Sequence, residues 1–120
     1  MKKVSILFFA LILLTGSSVL FAQIQILSGK FSANSSTPQY TLDKNSGERS
    51  FSIEVNFDKP FDKKPKVVLS ITMIDVDTKT NVRYNVEAIS ISRDNFTIKI
   101  TTWSETKIYG IAGSWIAHTE

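Results

Sequence analysis

The sequence predicts an all-β protein: a six-stranded antiparallel β-sandwich preceded by a cleavable signal peptide. Three observations carry this. Past residue 22, apolar residues alternate with polar ones or run in short blocks, and nothing there has the 3.6-residue spacing of a helix of ordinary length. β-branched and aromatic residues are abundant in those runs, as a pleated, half-buried surface favours. Turn-forming stretches interrupt them about every 8 to 12 residues, the spacing of a sandwich.

The amino terminus reads differently. Lys2 and Lys3 supply a positive start, and Val4 to Leu14 is almost unbroken apolar sequence. Thr15 to Ser18 breaks the run, and Ala22 offers a small residue before Gln23. That order is a secretory signal, with cleavage expected after Ala22. The apolar run falls short of the roughly 20 residues that span a bilayer, so no membrane insertion is expected after cleavage. The domain is then residues 23–120, and a secreted, extracellular location follows (periplasmic or cell-surface in a Gram-negative producer).

Strands are expected over residues 24–31, 51–57, 67–76, 84–92, 96–102 and 107–117. Residues 32–50 are rich in Ser, Asn and Thr, hold Pro38 and Gly47, and read as a long loop with a short edge segment at 39–42. Phe51, Ile53, Val55 and Phe57 share one face of the second strand. Residues 58–66 carry four lysines with Pro60 and Pro65, and form a charged turn that blunts strand edges. The third strand places Val67, Leu69, Ile71 and Met73 on one face and Val68, Ile74 and Val76 on the other, which predicts burial on both sides. Arg93, Asp94 and Asn95 form the hairpin turn before the fifth strand. The last strand again mixes apolar residues onto both faces, so a second apolar face is available to a subunit interface.

Composition excludes several functions. The chain has 14 basic and 11 acidic residues, but two of the lysines lie in the signal. The domain is therefore close to neutral and lacks the electrostatic footprint of a nucleic-acid binder. There is no cysteine and a single histidine, His118, in the carboxy-terminal tail. Zinc sites of the usual kind cannot be built, and Ser–His–Asp chemistry has only that tail residue to draw on. Asp75 and Asp77 stand two apart on one strand, without the Asp/Asn/Gly loop of a calcium site. Their ordinary reading is a solvated strand end, or pairing with Arg83 or with a neighbouring subunit. No metal, cofactor or catalytic residue is assigned.

Sugar-binding chemistry is within reach of what remains. Trp103 and Tyr109 flank the turn between the last two strands, where an aromatic face can stack on the C–H side of a sugar ring. Arg83 follows the polar turn Thr78 to Asn81, and a guanidinium donates two parallel hydrogen bonds to adjacent hydroxyls. By spacing alone these residues also suit core aromatics and a solvated arginine. Trp115 and Phe57 are better read as core. Asn34–Ser36 and Asn95–Thr97 match the glycosylation sequon, which matters only in a eukaryotic host.

Several spaced motifs resemble the H-type lectin domain family over about residues 51–117. Pro65 to Asp77 is similar to that family's strand after a proline-rich turn, and Arg83 stands where it has an arginine. Thr102, Trp103, Thr106 and Tyr109 reproduce its Thr-Trp-x-x-Thr-x-x-Tyr turn, and Ser114 to Ala117 its closing strand. The resemblance implies a six-stranded sandwich assembling as a homotrimer or homohexamer, with galactose- or N-acetylgalactosamine-type glycans bound near subunit boundaries. It further implies that Arg83 bonds sugar hydroxyls, Trp103 packs on the ring or its substituent, and Tyr109 completes the wall. An acceptor from the loop before the second strand is implied too. Asp43 suits it by chemistry, Asn45 or Ser46 by spacing. Ser104 stands where some members have a histidine, and its reach is shorter. The expected function is a secreted, multivalent, non-enzymatic lectin. The competing readings are an adhesion module of the same fold working through protein contacts, and a small glycan-processing enzyme.

Overall fold

The computed structural model describes residues 23–120, so the signal expected over residues 1–22 lies outside the described residues. Six strands follow in chain order: β1 (Ile26–Asn34), β2 (Arg49–Asn56), β3 (Lys66–Val76), β4 (Tyr84–Ile89), β5 (Asn95–Thr102) and β6 (Ile108–His118). They form two three-stranded antiparallel sheets, β1-β6-β3 and β2-β5-β4, stacked as a sandwich. Alternation dictates what lies between them. In β5, Phe96, Ile98, Ile100 and Thr102 point inward and are buried, while Asn95, Thr97, Lys99 and Thr101 face out.

The expected elements form with shifted ends and three corrections. The 39–42 segment is turn rather than strand, although Tyr40 and Leu42 on it are buried in the core. β4 stops at Ile89, so the connection to β5 is residues 90–94 and Asn95 already pairs with Asn56. The Ser92 hydroxyl organises that connection by accepting the amides of Asp94 at 3.2 Å and Asn95 at 3.1 Å.

The third correction concerns β3. Ile71 pairs with Gly113 but Met73 pairs with Ala112, so Thr72 is an extra residue, a β-bulge. A one-residue insertion inverts every side chain beyond it. Val67, Leu69, Ile71, Ile74 and Val76 therefore all turn toward the core, and Val68 and Met73 turn outward. The strand is two-faced, but Met73 and the pair Ile74 and Val76 occupy faces opposite to the expected ones.

Core packing matches large side chains to small ones across strands. Gly29 pairs with Trp115 and Phe31 with Gly113. A Cβ on Gly29 would lie 2.7 Å from the indole, and one on Gly113 would lie 2.6 Å from the Phe31 ring. Trp115 meets Phe96 and Phe57 at centroid distances of 5.4 and 5.8 Å, with Phe61 on Phe57 at 4.9 Å. This cluster fills the end of the sandwich that holds the termini and residues 57–65 and 90–94. There the Phe61 amide donates to the Arg93 carbonyl at 2.9 Å, and Arg93 Nε donates to the Phe61 carbonyl at 2.8 Å. The two ends of the described span, residues 23–120, are joined there by the Thr119 amide donating to the Gln25 carbonyl at 3.0 Å. The opposite end is left to the three remaining loops.

Candidate functional site

Residues 35–48, 77–83 and 103–107 meet at that opposite end, because β1, β3 and β5 all finish there. Two threonines of the Thr102–Tyr109 segment fasten the second of these loops. Thr102 and Thr106 are buried. The Thr102 hydroxyl donates to the Arg83 carbonyl at 2.6 Å, and the Arg83 amide donates to Thr106 Oγ1 at 3.1 Å. Thr106 Oγ1 in turn donates to the Asn81 carbonyl. The Arg83 main chain is thus held on both sides while its guanidinium projects, without a salt bridge among the described residues. Its expected pairing with Asp75 or Asp77 does not form. Asp77, already beyond β3, accepts the Lys79 amide at 3.0 Å instead.

Beside Arg83 lies an open groove of about 410 Å³, with Thr78, Lys79, Thr80, Asn81 and Arg83 on one wall and Ser104 and Glu105 on the other. Every lining residue is polar, and two are cations. Trp103 precedes Ser104 and is 39% exposed, more than a core tryptophan would be. Tyr109 is 40% exposed, and the register explains why. Asp75 pairs with Gly110 and Val76 with Ile108, so Tyr109 is the extra residue of a second bulge. Bulges re-aim side chains, and this one turns the tyrosine out of the core.

The 35–48 loop is anchored from below. The Tyr40 hydroxyl donates to the Ile108 carbonyl at 2.7 Å, and the Ile108 amide donates to the Leu42 carbonyl at 3.0 Å. Burial pushes the Tyr40 hydroxyl pKa well above the ordinary 10.0, and the charges of Asp43 and Asp75 add to the shift. At the loop tip, Asn45 (φ 58°) and Gly47 (φ 81°) adopt left-handed conformations, as does Ser104 (φ 60°) on the facing turn. The Gly47 amide donates to the Ser104 carbonyl at 3.0 Å, which joins loop to turn.

The expected site residues therefore share one end of the sandwich but not one pocket. Arg83 and Ser104 line the groove, and Trp103 adjoins it along the chain. Asn45 and Ser46 are exposed on the loop bonded to Ser104. Asp43 is half-buried, and its Oδ1 is enclosed without a hydrogen-bond partner among the described residues. Tyr109 lies outside the groove lining. Trp115 and Phe57, read as core, are buried. Sequence reasoning met Thr102 and Thr106 only as motif positions, with no role, and passed over Arg49. Thr102 and Arg49 were visible in one respect: each continues the inward phase of its strand, where an apolar residue would be ordinary.

Comparison with known proteins agrees with this architecture. The model of the H-type lectin domain matches residues 52–118. A Fuscovulum blasticum protein described as ATP synthase subunits region ORF 7 is 35% identical over 71 residues, covering 59% of this chain and 62% of that protein. A discoidin-1 polypeptide of Dictyostelium discoideum is 34% identical over 77 residues, covering 63% of this chain and 30% of that protein. The structure of wild-type discoidin II from the same organism superposes with a TM-score of 0.72 at 19% identity, over 82% of this chain and 38% of that one. That last likeness is one of fold. The chain spans less than two thirds of the length of these relatives. A two-sheet antiparallel β-sandwich of the H-type lectin kind is the class these features define. The family match covers more than half of the chain, and the chain belongs to the H-type lectin domain family.

Proposed function

We propose that the protein is a secreted lectin that binds galactose- or N-acetylgalactosamine-type glycans at the loop end of its sandwich and gains strength by self-assembly. One observation carries this: Arg83 is locked by its main chain to the threonines flanking Trp103, while both its guanidinium and the indole remain exposed. An exposed two-pronged donor and an exposed aromatic face, carried on segments tied together through their main chains, supply what recognition of ring hydroxyls and C–H edges needs. In the acceptor role, exposed Asn45 and Ser46 have the advantage over Asp43, one of whose oxygens is enclosed.

Self-assembly is supported by the contrast between the two outer faces. Sheet β2-β5-β4 shows Ser50, Ser52, Glu54 and Asn56 to solvent along β2. Sheet β1-β6-β3 shows Ile26 (64% exposed), Val68 (56%), Met73 (47%) and Ile116 (47%). Ile116 pairs with Val68 and Ala112 with Met73, so apolar groups face one another across β6 and β3, while Ile26 exposes a further apolar group at the start of β1. A shallow depression of about 520 Å³ lies over Ala112 and Gly113 in the same sheet. Such a face suits a second and third copy of the chain. A single shallow site of this kind binds a monosaccharide with Kd on the order of millimolar, about −4 kcal/mol.

The test is a glycan array probed with residues 23–120 and with its Arg83→Ala variant. Signals on galactose- or N-acetylgalactosamine-terminated glycans that vanish in the variant support the reading. A blank array from the folded parent overturns it and favours an adhesion module working through protein contacts.

A further inference from the structure

We infer that Arg49 is a positioning residue for sugar binding: its buried guanidinium fixes the loop that carries Asp43, Asn45 and Ser46 against the turn that carries Trp103 and Ser104. This rests on the lectin reading of the site and goes beyond it to the device that sets the site's geometry.

Arg49 opens β2 in phase with Phe51, Ile53 and Val55, on the inward side, where it is 8% exposed. Its pair partner across the ladder is the fully buried Thr102. An arginine in such a position normally meets a carboxylate, since an uncompensated buried charge is costly. Arg49 makes no salt bridge among the described residues. Its donors go to main-chain carbonyls: Nε to Gly47 at 2.9 Å, Nη1 to Lys44 at 3.0 Å and more weakly to Leu42 at 3.5 Å, and Nη2 to Ser104 at 3.0 Å. Three of these acceptors lie on the 42–47 stretch, and the fourth lies on the turn after β5. One planar fork thus joins two segments that are neighbours in space but more than fifty residues apart in sequence.

Both segments it joins carry left-handed backbone, as Gln39 and Ser90 do elsewhere in the chain. Asn45, Gly47 and Ser104 all have left-handed backbones, and a non-glycine residue holds that conformation only where its surroundings impose it. The Ser104 carbonyl is a shared acceptor, taking both Arg49 Nη2 and the Gly47 amide. Ordinary core packing would be served by leucine at this position. A guanidinium is needed because its fixed fan of N–H groups reaches carbonyls in several directions at once, which the single ammonium of lysine does not.

The experiment compares Arg49→Lys and Arg49→Met with the parent and with Ile98→Val, a core variant that touches neither loop. Galactose is titrated into each folded protein, and exchange of the Gly47 amide is followed by NMR. Both Arg49 variants should bind galactose about tenfold more weakly and exchange Gly47 about tenfold faster, while the Ile98→Val protein keeps parental values for both. Parental affinity and parental Gly47 exchange in Arg49→Lys overturn the inference. So does an equal loss of affinity in Ile98→Val, which would reduce the effect to general stability. A parent that binds no galactose removes the lectin reading, and Gly47 exchange still decides whether Arg49 couples loop to turn.

Discussion

At the scale of single residues, the site separates side chains that face outward from those that hold them. Arg83 and Trp103 are exposed and make few contacts within the chain. Arg83→Ala or Trp103→Ala should therefore abolish glycan binding while leaving thermal unfolding within a few degrees of the parent. Thr106 is the opposite case. Thr106→Val keeps the volume but removes the hydroxyl between the Arg83 amide and the Asn81 carbonyl. The cost should be about 1–3 kcal/mol in denaturant unfolding, accompanied by weaker glycan binding. Tyr40 predicts a pH effect. Its pKa is raised in the fold, so its contribution is complete below the unfolded value of 10.0 and is lost as pH climbs above that. Stability should fall steeply above pH 10, and Tyr40→Phe should flatten that fall while costing about 1 kcal/mol at neutral pH for the lost bond to Ile108.

At the scale of elements, the two bulges of the β3–β6 ladder decide which side chains face where. Deleting Thr72 would remove the first bulge and, by simple alternation from Ile71, leave Met73 outward and Ile74 and Val76 inward. That deletion should therefore be tolerated, with urea unfolding close to that of Thr72→Ala, which keeps the bulge; a large loss in the deletion alone would show that the bulge itself is needed. The Gly29–Trp115 pair makes a second demand on an element. Gly29→Ala should destabilise by about 1–3 kcal/mol, because β1 must move away from an indole held on its other side by Phe96 and Phe57. Chemical denaturation of that variant beside Gly47→Ala separates crowding from backbone strain, since nothing stands near a Cβ at Gly47.

For the whole molecule, function on the proposed reading depends on copy number. Sites of millimolar strength become useful when several engage one surface, and avidity gains of roughly 10²–10⁴ are available if spacing permits. Ile116 lies on β6, the central strand of sheet β1-β6-β3, outward and opposite the exposed Val68. Ile116→Lys should therefore yield a monomer by light scattering, with the single-site affinity for galactose unchanged but agglutination lost. A variant that stays oligomeric would move the interface elsewhere on the molecule.

Much of this was legible along the chain. Period-two alternation with clustered turn residues gave six strands, because side-chain direction in a strand is a local property. The aromatic and threonine spacing from Thr102 to Tyr109, with Arg83 upstream, gave the family, and the fold gathers these residues at one end of the sandwich. Trp115 and Phe57 were readable as core from their place in apolar runs. Pairing decided the rest. Whether a strand carries an extra residue depends on its neighbour's register, so the outward turn of Met73, and the bulge that turns Tyr109 out, could not be read from either strand alone. Nor could the work of Thr102, Thr106 and Arg49, whose partners are main-chain carbonyls and amides of distant loops. Every residue carries such groups, so they leave no mark in sequence. Local alternation is written in side chains, whereas the geometry of the site depends on which backbones the fold brings together.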